Sequence, residues 1–190
     1  MMAAPVDDPL KSDSRSDQEL IAAINDGDSN AFEALYYRYR DWVVSLAYRF
    51  TGDRELSLDV LQETFLYFVK KFPGFRLTAQ LKTFLYPAVR NLSIAARRTA
   101  ERFQSDENGT ETIEAAITTE PIVSQDESLT AALALLSEEH REVLLLRFVD
   151  GFSLAGIAET LRIPLGTVKS RLHNALDTLR NNPRTKTYFE

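Results

Sequence analysis

Cysteine is absent from all 190 residues. That excludes disulfides and thiolate metal sites, and it fits a reducing compartment. Histidine is scarce: His140 and His173 are the two present, far apart in sequence. Neither a metal cluster nor a histidine acid–base pair is expected from them. No apolar run approaches the roughly 18–20 residues that span a bilayer. Residues 1–17 lack the basic start and apolar stretch of a signal peptide. The expectation is a soluble chain, without a membrane span, that stays where it is made. No Gly-rich phosphate loop, nucleophile elbow or HExxH occurs. No catalytic set and no cofactor site is expected. No stretch reads as a strand, and no internal repeat is found.

What is present is helical periodicity and unevenly placed charge. The net charge of −6 would argue against a nucleic-acid partner if it were spread evenly. Residues 70–102 hold eight basic residues against Glu101 alone, a local balance of +7. Residues 103–128 hold seven acidic residues and no basic one. Residues 162–186 hold six basic residues against Asp177, a balance of +5. Two basic blocks around an acidic one point to two separate phosphate-facing surfaces.

The pattern predicts an all-α chain of two small helical domains joined by a flexible linker. Residues 1–16 are polar and aperiodic and read as a disordered tail. A first domain over 17–102 holds predicted helices at 17–26, 30–50, 54–71 and 79–102. Gly27 suits a left-handed cap on the first. Asn30 and Glu33 have capping-box spacing at the start of the second. Thr51-Gly52-Asp53 and Pro73-Gly74 bound the third. Leu81, Phe84, Leu85, Ala88, Leu92 and Ala95 face inward from the fourth, and Pro87 predicts a kink in it. Residues 103–127 read as an acidic linker, 128–182 as a second helical domain, and 183–190 as a C-terminal tail.

The second domain carries the clearest signal. Ser137 and Ser153 are predicted N-caps, and Gly151 closes the helix between them. Arg162-Ile163-Pro164 separates the last two helical patterns, a helix-turn-helix arrangement in which glycine usually occupies the turn. Positive φ at Arg162 would cost of the order of 1 kcal/mol, which a phosphate contact could offset. Pro164 fits the first turn of the last helix. That helix places Val168, Leu172, Leu176 and Leu179 on one face. Ser170, His173 and Asn174 lie opposite, with Lys169 and Arg171 at the flanks. Such a helix suits the major groove, because these residue types donate to phosphates and base edges. The plain alternative is a helical bundle with a solvated polar face.

Three further groups stand out. Asp59, Gln62 and Glu63 share one helix face at i, i+3 and i+4, opposite Val60, Leu61, Thr64, Phe65 and Phe68. Two carboxylates without histidine make a poor metal site, whereas a protein-docking face or plain solubility suits them. Phe72, Phe75 and Arg76 mix rings and charge around a turn, which suits single-stranded nucleic acid; core packing is the alternative for the rings. Lys82, Arg90, Arg97 and Arg98 give the fourth helix a basic face.

Residues 59–72 (DVLQETFLYFVKKF) with 81–98 (LKTFLYPAVRNLSIAARR) resemble the second region of bacterial sigma factors, and residues 136–180 resemble their fourth. With no domain between them, the chain resembles the extracytoplasmic-function (ECF) group of the sigma-70 family. Phe84 stands where tryptophan is frequent, and Pro87, Gly156 and Arg162 depart from the usual pattern. The resemblance implies a cytoplasmic, nucleoid-associated initiation factor rather than an enzyme. It implies core RNA polymerase and promoter DNA as partners. Asp59, Gln62 and Glu63 would face the clamp-helix coiled coil, and the C-terminal domain the flap. Phe72, Phe75, Arg76, Lys82, Arg90, Asn91, Arg97 and Arg98 would serve the −10 element and melting. Thr167, Lys169, Ser170, Arg171, His173 and Asn174 would read the −35 element. An anti-sigma protein is a further partner that such factors often have. Promoter elements about 17 base pairs apart lie roughly 58 Å apart, which a 25-residue linker of about 80 Å can bridge. The alternative reading is a helix-turn-helix regulator that binds duplex DNA without polymerase.

Overall fold

A computed structural model of the chain describes residues 13–108, 127–182 and 185. All eight regular elements among them are helices: α1 Asp17–Asn25, α2 Ser29–Thr51, α3 Arg54–Val69, α4 Leu81–Asn108, α5 Glu127–Ala134, α6 Glu138–Phe148, α7 Leu154–Leu161 and α8 Leu165–Asn181.

Local chemistry sets most boundaries. Ser16 and Glu19 form a reciprocal capping box: the Glu19 carboxylate accepts from Ser16 N at 2.7 Å, and Ser16 Oγ accepts from Glu19 N at 3.3 Å. Residues 13–16, read from the sequence as tail, are therefore part of the structured chain. Residues 13–16 are held on α2, where Arg38 donates to the carbonyls of Asp13 (2.7 Å) and Arg15 (2.8 Å) and pairs with Asp17 at 2.6 Å. Residues 1–12 lie outside the described residues. Gly27 takes φ 92° after α1, as its predicted capping role requires. Asp28, not Asn30, caps α2, accepting from the backbone N–H of Asn30 and Ala31 at 2.9 and 3.3 Å. A carboxylate here also favours the positive helix end.

Val60, Leu61, Thr64, Phe65 and Phe68 of α3 are all buried, as predicted. The α4 stripe is wider than the predicted one, of which Phe84 and Leu92 also pack against the core. Leu81 and Leu85 are buried, but so are Tyr86, Val89 and Ser93, while Ala95 is exposed. The reason is that α4 packs on α2 and α3 on one side and on α7 on the other, so it buries a wider arc than one stripe. The helix is continuous through Pro87. It also runs to Asn108, and α5 starts at Glu127, so both ends of the expected linker are helical. Residues 109–126, like most of the tail 183–190, lie outside the described residues.

In the C-terminal unit Ser137 and Ser153 cap α6 and α7, accepting from His140 N and Gly156 N at 3.4 and 3.0 Å. Arg162 adopts φ 55°, ψ 44°, the left-handed conformation its place in the turn demanded. Pro164 precedes α8 at the capping position, one residue before its predicted place. Arg162→Gly is expected to raise stability by about 1 kcal/mol in urea unfolding, since glycine relieves the left-handed strain.

Two clusters form the interior. Ala132, Leu133, Leu136, Leu144, Ala175 and Leu179 join α5, α6 and α8. The larger cluster holds the N-terminal core around Leu35, Leu46 and Phe68, and it also includes Val143, Leu146, Phe152, Ile157 and Val168. The two helical units therefore pack against each other.

Candidate nucleic-acid interface

Helix α8 is held by Val168, Ala175 and Leu179, which are buried, with Leu172 and Leu176 packed beside them. This fixes which residues face out. Lys169, Ser170, His173 and Asn174 are exposed, and Thr167 is half-buried. His173 Nε2 lies 3.1 Å from Asp177 Oδ2 on the next turn. Arg171 does not share the open face: its guanidinium pairs with Glu139 at 2.7 Å. The first turn of α8 has no side-chain cap, so its backbone donors remain available to an anion.

The turn before α4 is built differently from the sequence expectation. Phe72 and Phe75 are half-buried and pack against the core. Their rings lie 5.2 and 5.5 Å from the Phe68 centroid, and Phe75 lies 4.8 Å from Phe84. Both belong to the core packing, because a pair of rings that close to a fully buried third ring gains more by leaving water. Asn25 braces the turn, donating to Phe75 O at 2.9 Å and accepting from Gly74 N at 2.6 Å. The sequence carried no signal for Asn25, which sits 50 residues from Phe75.

The basic face of α4 is divided. Arg76, Asn91 and Arg98 are exposed. Arg97 pairs with Glu101 one turn on, at 3.1 Å. Lys82 donates to Asp150 O at 2.8 Å and lies over the Trp42 ring, and Arg90 Nε lies 3.4 Å from Glu142 Oε1. Tyr86 OH donates to Glu142 at 2.7 Å. Burial, and then the Glu142 carboxylate, push the Tyr86 hydroxyl well above its usual pKa, so it remains a donor. Arg76 and Asn91 meet Arg162 of the C-terminal unit around a groove of about 800 Å³, with Tyr67 and Pro87 also in its walls.

Asp59, Gln62 and Glu63 are exposed on α3. Leu58, Leu66 and Val69 are exposed as well, between 42 and 48%. The acidic triad thus sits in an apolar surround that the sequence reading missed. The signal was available: α3 has apolar residues on more than one face. Among the described residues no group of three His, Asp or Glu side chains could hold a metal ion, and no helix is long and apolar enough to cross a membrane.

Residues 35–103 match the family model described as Sigma-70 region 2, and residues 132–181 match that of Sigma-70, region 4. The chain is also 39% identical over 154 residues to the ECF RNA polymerase sigma factor SigL of Mycobacterium tuberculosis, covering 77% of this chain and 85% of that one. The chain belongs to the ECF sigma factors. SigW of Bacillus subtilis is 29% identical over 177 residues, covering 86 and 95% of the two chains. Among solved structures, the sigma factor RpoE in complex with the anti-sigma factor NepR from Bartonella quintana superposes with a TM-score of 0.53 at 25% identity, covering 74% of this chain and 88% of that one. CnrH in complex with the cytosolic domain of CnrY gives 0.61 at 21% identity, covering 85 and 93%, and shows the shared fold.

As an ECF sigma factor the chain binds core RNA polymerase and promoter DNA and directs transcription initiation. The region 2 match removes the alternative of a helix-turn-helix regulator working without polymerase. Sigma factors are DNA-recognition subunits and leave the chemistry to the polymerase.

Proposed function

We propose that this sigma factor divides its work between three surfaces. The observation that carries this reading is the open face of α8: Lys169, Ser170, His173 and Asn174 point outward because an unbroken apolar stripe fixes the opposite side. Placed in the major groove, this face reads the −35 element. Asn174 has the two-sided amide that matches adenine, and Lys169 is placed for phosphate. Thr167 and the open first turn of α8 add backbone contacts. Arg162, exposed at the turn, reaches a flanking phosphate, which offsets its left-handed strain. Arg171 joins the DNA only by leaving Glu139.

The second surface is region 2, residues 17–102 with the Asp13–Ser16 brace. Arg76, Asn91 and Arg98 meet the −10 strand directly, and Lys82, Arg90 and Arg97 follow once freed from their partners. Phe72 and Phe75 act by shaping the turn. The third surface is the α3 face, with Asp59, Gln62 and Glu63 docking on the clamp-helix coiled coil of core polymerase. The C-terminal unit, residues 128–182, faces the flap. An anti-sigma protein is a further partner, on the likeness to RpoE held by NepR. The factor works in the bacterial cytoplasm, on the nucleoid.

Run-off transcription with purified core polymerase on genomic fragments tests this reading. A promoter-specific product is expected, and its absence with folded protein would overturn the proposal. On a template so identified, Asn174→Ala is expected to cost about 1–3 kcal/mol and to relax the preference at one base. Lys169→Ala should weaken all sequences alike and lower the salt slope by about 1. Electrophoretic mobility shifts across a salt series separate the two.

A further inference from the structure

The main chain of the turn between α3 and α4 has few bonds of its own. The α3 end reaches as far as Phe72, whose N–H donates to Val69 O at 3.1 Å. Backbone pairing resumes where Thr83 donates to Gln80 O at 2.9 Å. Between them, among the described residues, the hydrogen bonds to the main chain of residues 73–79 all come from Asn25. Its amide nitrogen donates to Phe75 O at 2.9 Å, and its amide oxygen accepts from Gly74 N at 2.6 Å. One orientation of the amide satisfies both, since a carbonyl can only accept and an N–H can only donate. Phe75 and Leu77 pack against the core, while Gly74, Arg76 and Thr78 alternate with them and are exposed.

We propose that Asn25 is a positioning residue for promoter opening: it presets the 72–78 turn, and with it Arg76, to receive the −10 strand. The inference rests on the reading of this turn and α4 as the −10 surface. The rings fix how deep the turn sits, because Phe72 and Phe75 are anchored on Phe68. A side-chain anchor still lets the main chain swing about it. Two bonds from one amide to consecutive residues remove that freedom immediately before Arg76. They also hold Gly74 at φ 96°, in the region that a residue with a Cβ rarely adopts.

The brace has a firm base. Asn25 is the last residue of α1 and is half-buried. Leu20 and Ile21 of the same helix are buried, and Arg38 of α2 pairs with Asp17 at its start. The position of α1 is therefore set by α2, and Asn25 carries it across to the turn. Strand capture competes with base pairing and stacking in the duplex. A turn ordered in advance loses less conformational freedom when the strand arrives. The gain falls on the opening step, because the contacts proposed for core polymerase and for the −35 element lie on α3 and α8.

Asn25→Ala removes both bonds, and holoenzyme assembled with the full chain separates the steps. Fluorescence anisotropy reads core binding, mobility shifts in the cold read the closed complex, and permanganate reactivity of unpaired thymines reads opening. The first two are expected to stay within about twofold, while opening slows about tenfold, the loss of two net hydrogen bonds. An unchanged opening rate, or core binding lost in step with opening, would overturn the brace. Asn25→Asp has the same shape and keeps the acceptor for Gly74, but it sets a carboxylate against Phe75 O. It should open as slowly as the alanine variant; opening at the unsubstituted rate would overturn the two-point brace. Arg76→Ala, exposed on the same turn, tests the reading beneath the inference. Normal opening there would sink the assignment of the turn to the −10 element. Slow opening there, with normal opening in Asn25→Ala, would sink the brace alone.

Discussion

Replacing Asp59 and Glu63 by lysine is expected to reduce binding to core polymerase by about a hundredfold or more, with the fold intact. Both side chains are exposed at i and i+4 on α3, and neither makes an ion pair among the described residues. Their removal therefore breaks nothing inside the protein, and a surface exchange of this kind shifts stability by about 0.5 kcal/mol at most. The partner face sees a different change. Leu58, Leu66 and Val69 supply an apolar centre around the carboxylates, the arrangement of a protein-contact surface with charge at its margin. Two reversals turn attraction into like-charge contact, which costs several kcal/mol. Each 1.4 kcal/mol is about tenfold in affinity. Fluorescence anisotropy with labelled factor and core enzyme reads the loss, and circular dichroism checks the fold. Undiminished assembly would reduce the triad to solvated surface.

The second large effect is on stability. Phe68→Ala is expected to destabilise the protein by about 3–5 kcal/mol, a large share of the roughly 5–15 kcal/mol available to a domain. Phe68 is fully buried. Its ring contacts those of Phe32, Phe65, Phe72, Phe75 and Phe84, with centroids between 5.2 and 6.4 Å. Truncation removes the shared partner of rings from three helices and the turn, and it leaves a void that rigid neighbours fill poorly. The turn that carries Arg76 would lose its footing, so promoter opening should fall before the protein unfolds. Urea midpoints measure the stability, and a loss below about 1 kcal/mol would show that the surrounding rings close the cavity.

The same residue shows how much was legible beforehand. Phe68 and its α3 companions were identified as core from spacing alone, since a helix repeats its inward face every three or four residues. The caps Ser137 and Ser153, the left-handed Arg162 and the outward face of α8 were equally readable. Each depends on residues within about one helical turn. The first cap was readable too, because Ser16 and Glu19 carry the capping-box spacing, but a polar neighbourhood concealed it. The breadth of the α4 stripe was not legible in that way. The predicted stripe assumed one packing partner, and Tyr86, Val89 and Ser93 are buried because α7 covers a second side.

By itself the sequence determined an all-helical chain, its inward stripes, most helix ends and three charged surfaces of a sigma factor. These follow from short-range periodicity and capping chemistry. Tertiary structure alone decided which charges stay open. It tied Lys82, Arg90 and Arg171 to partners, packed Phe72 and Phe75 against the core, braced the turn with Asn25 and seated Asp150 against Trp42 and Arg49. Those last contacts join residues 50 to 108 positions apart. Over such separations no repeat links one residue to the other; the partner is fixed only when packed helices bring it near.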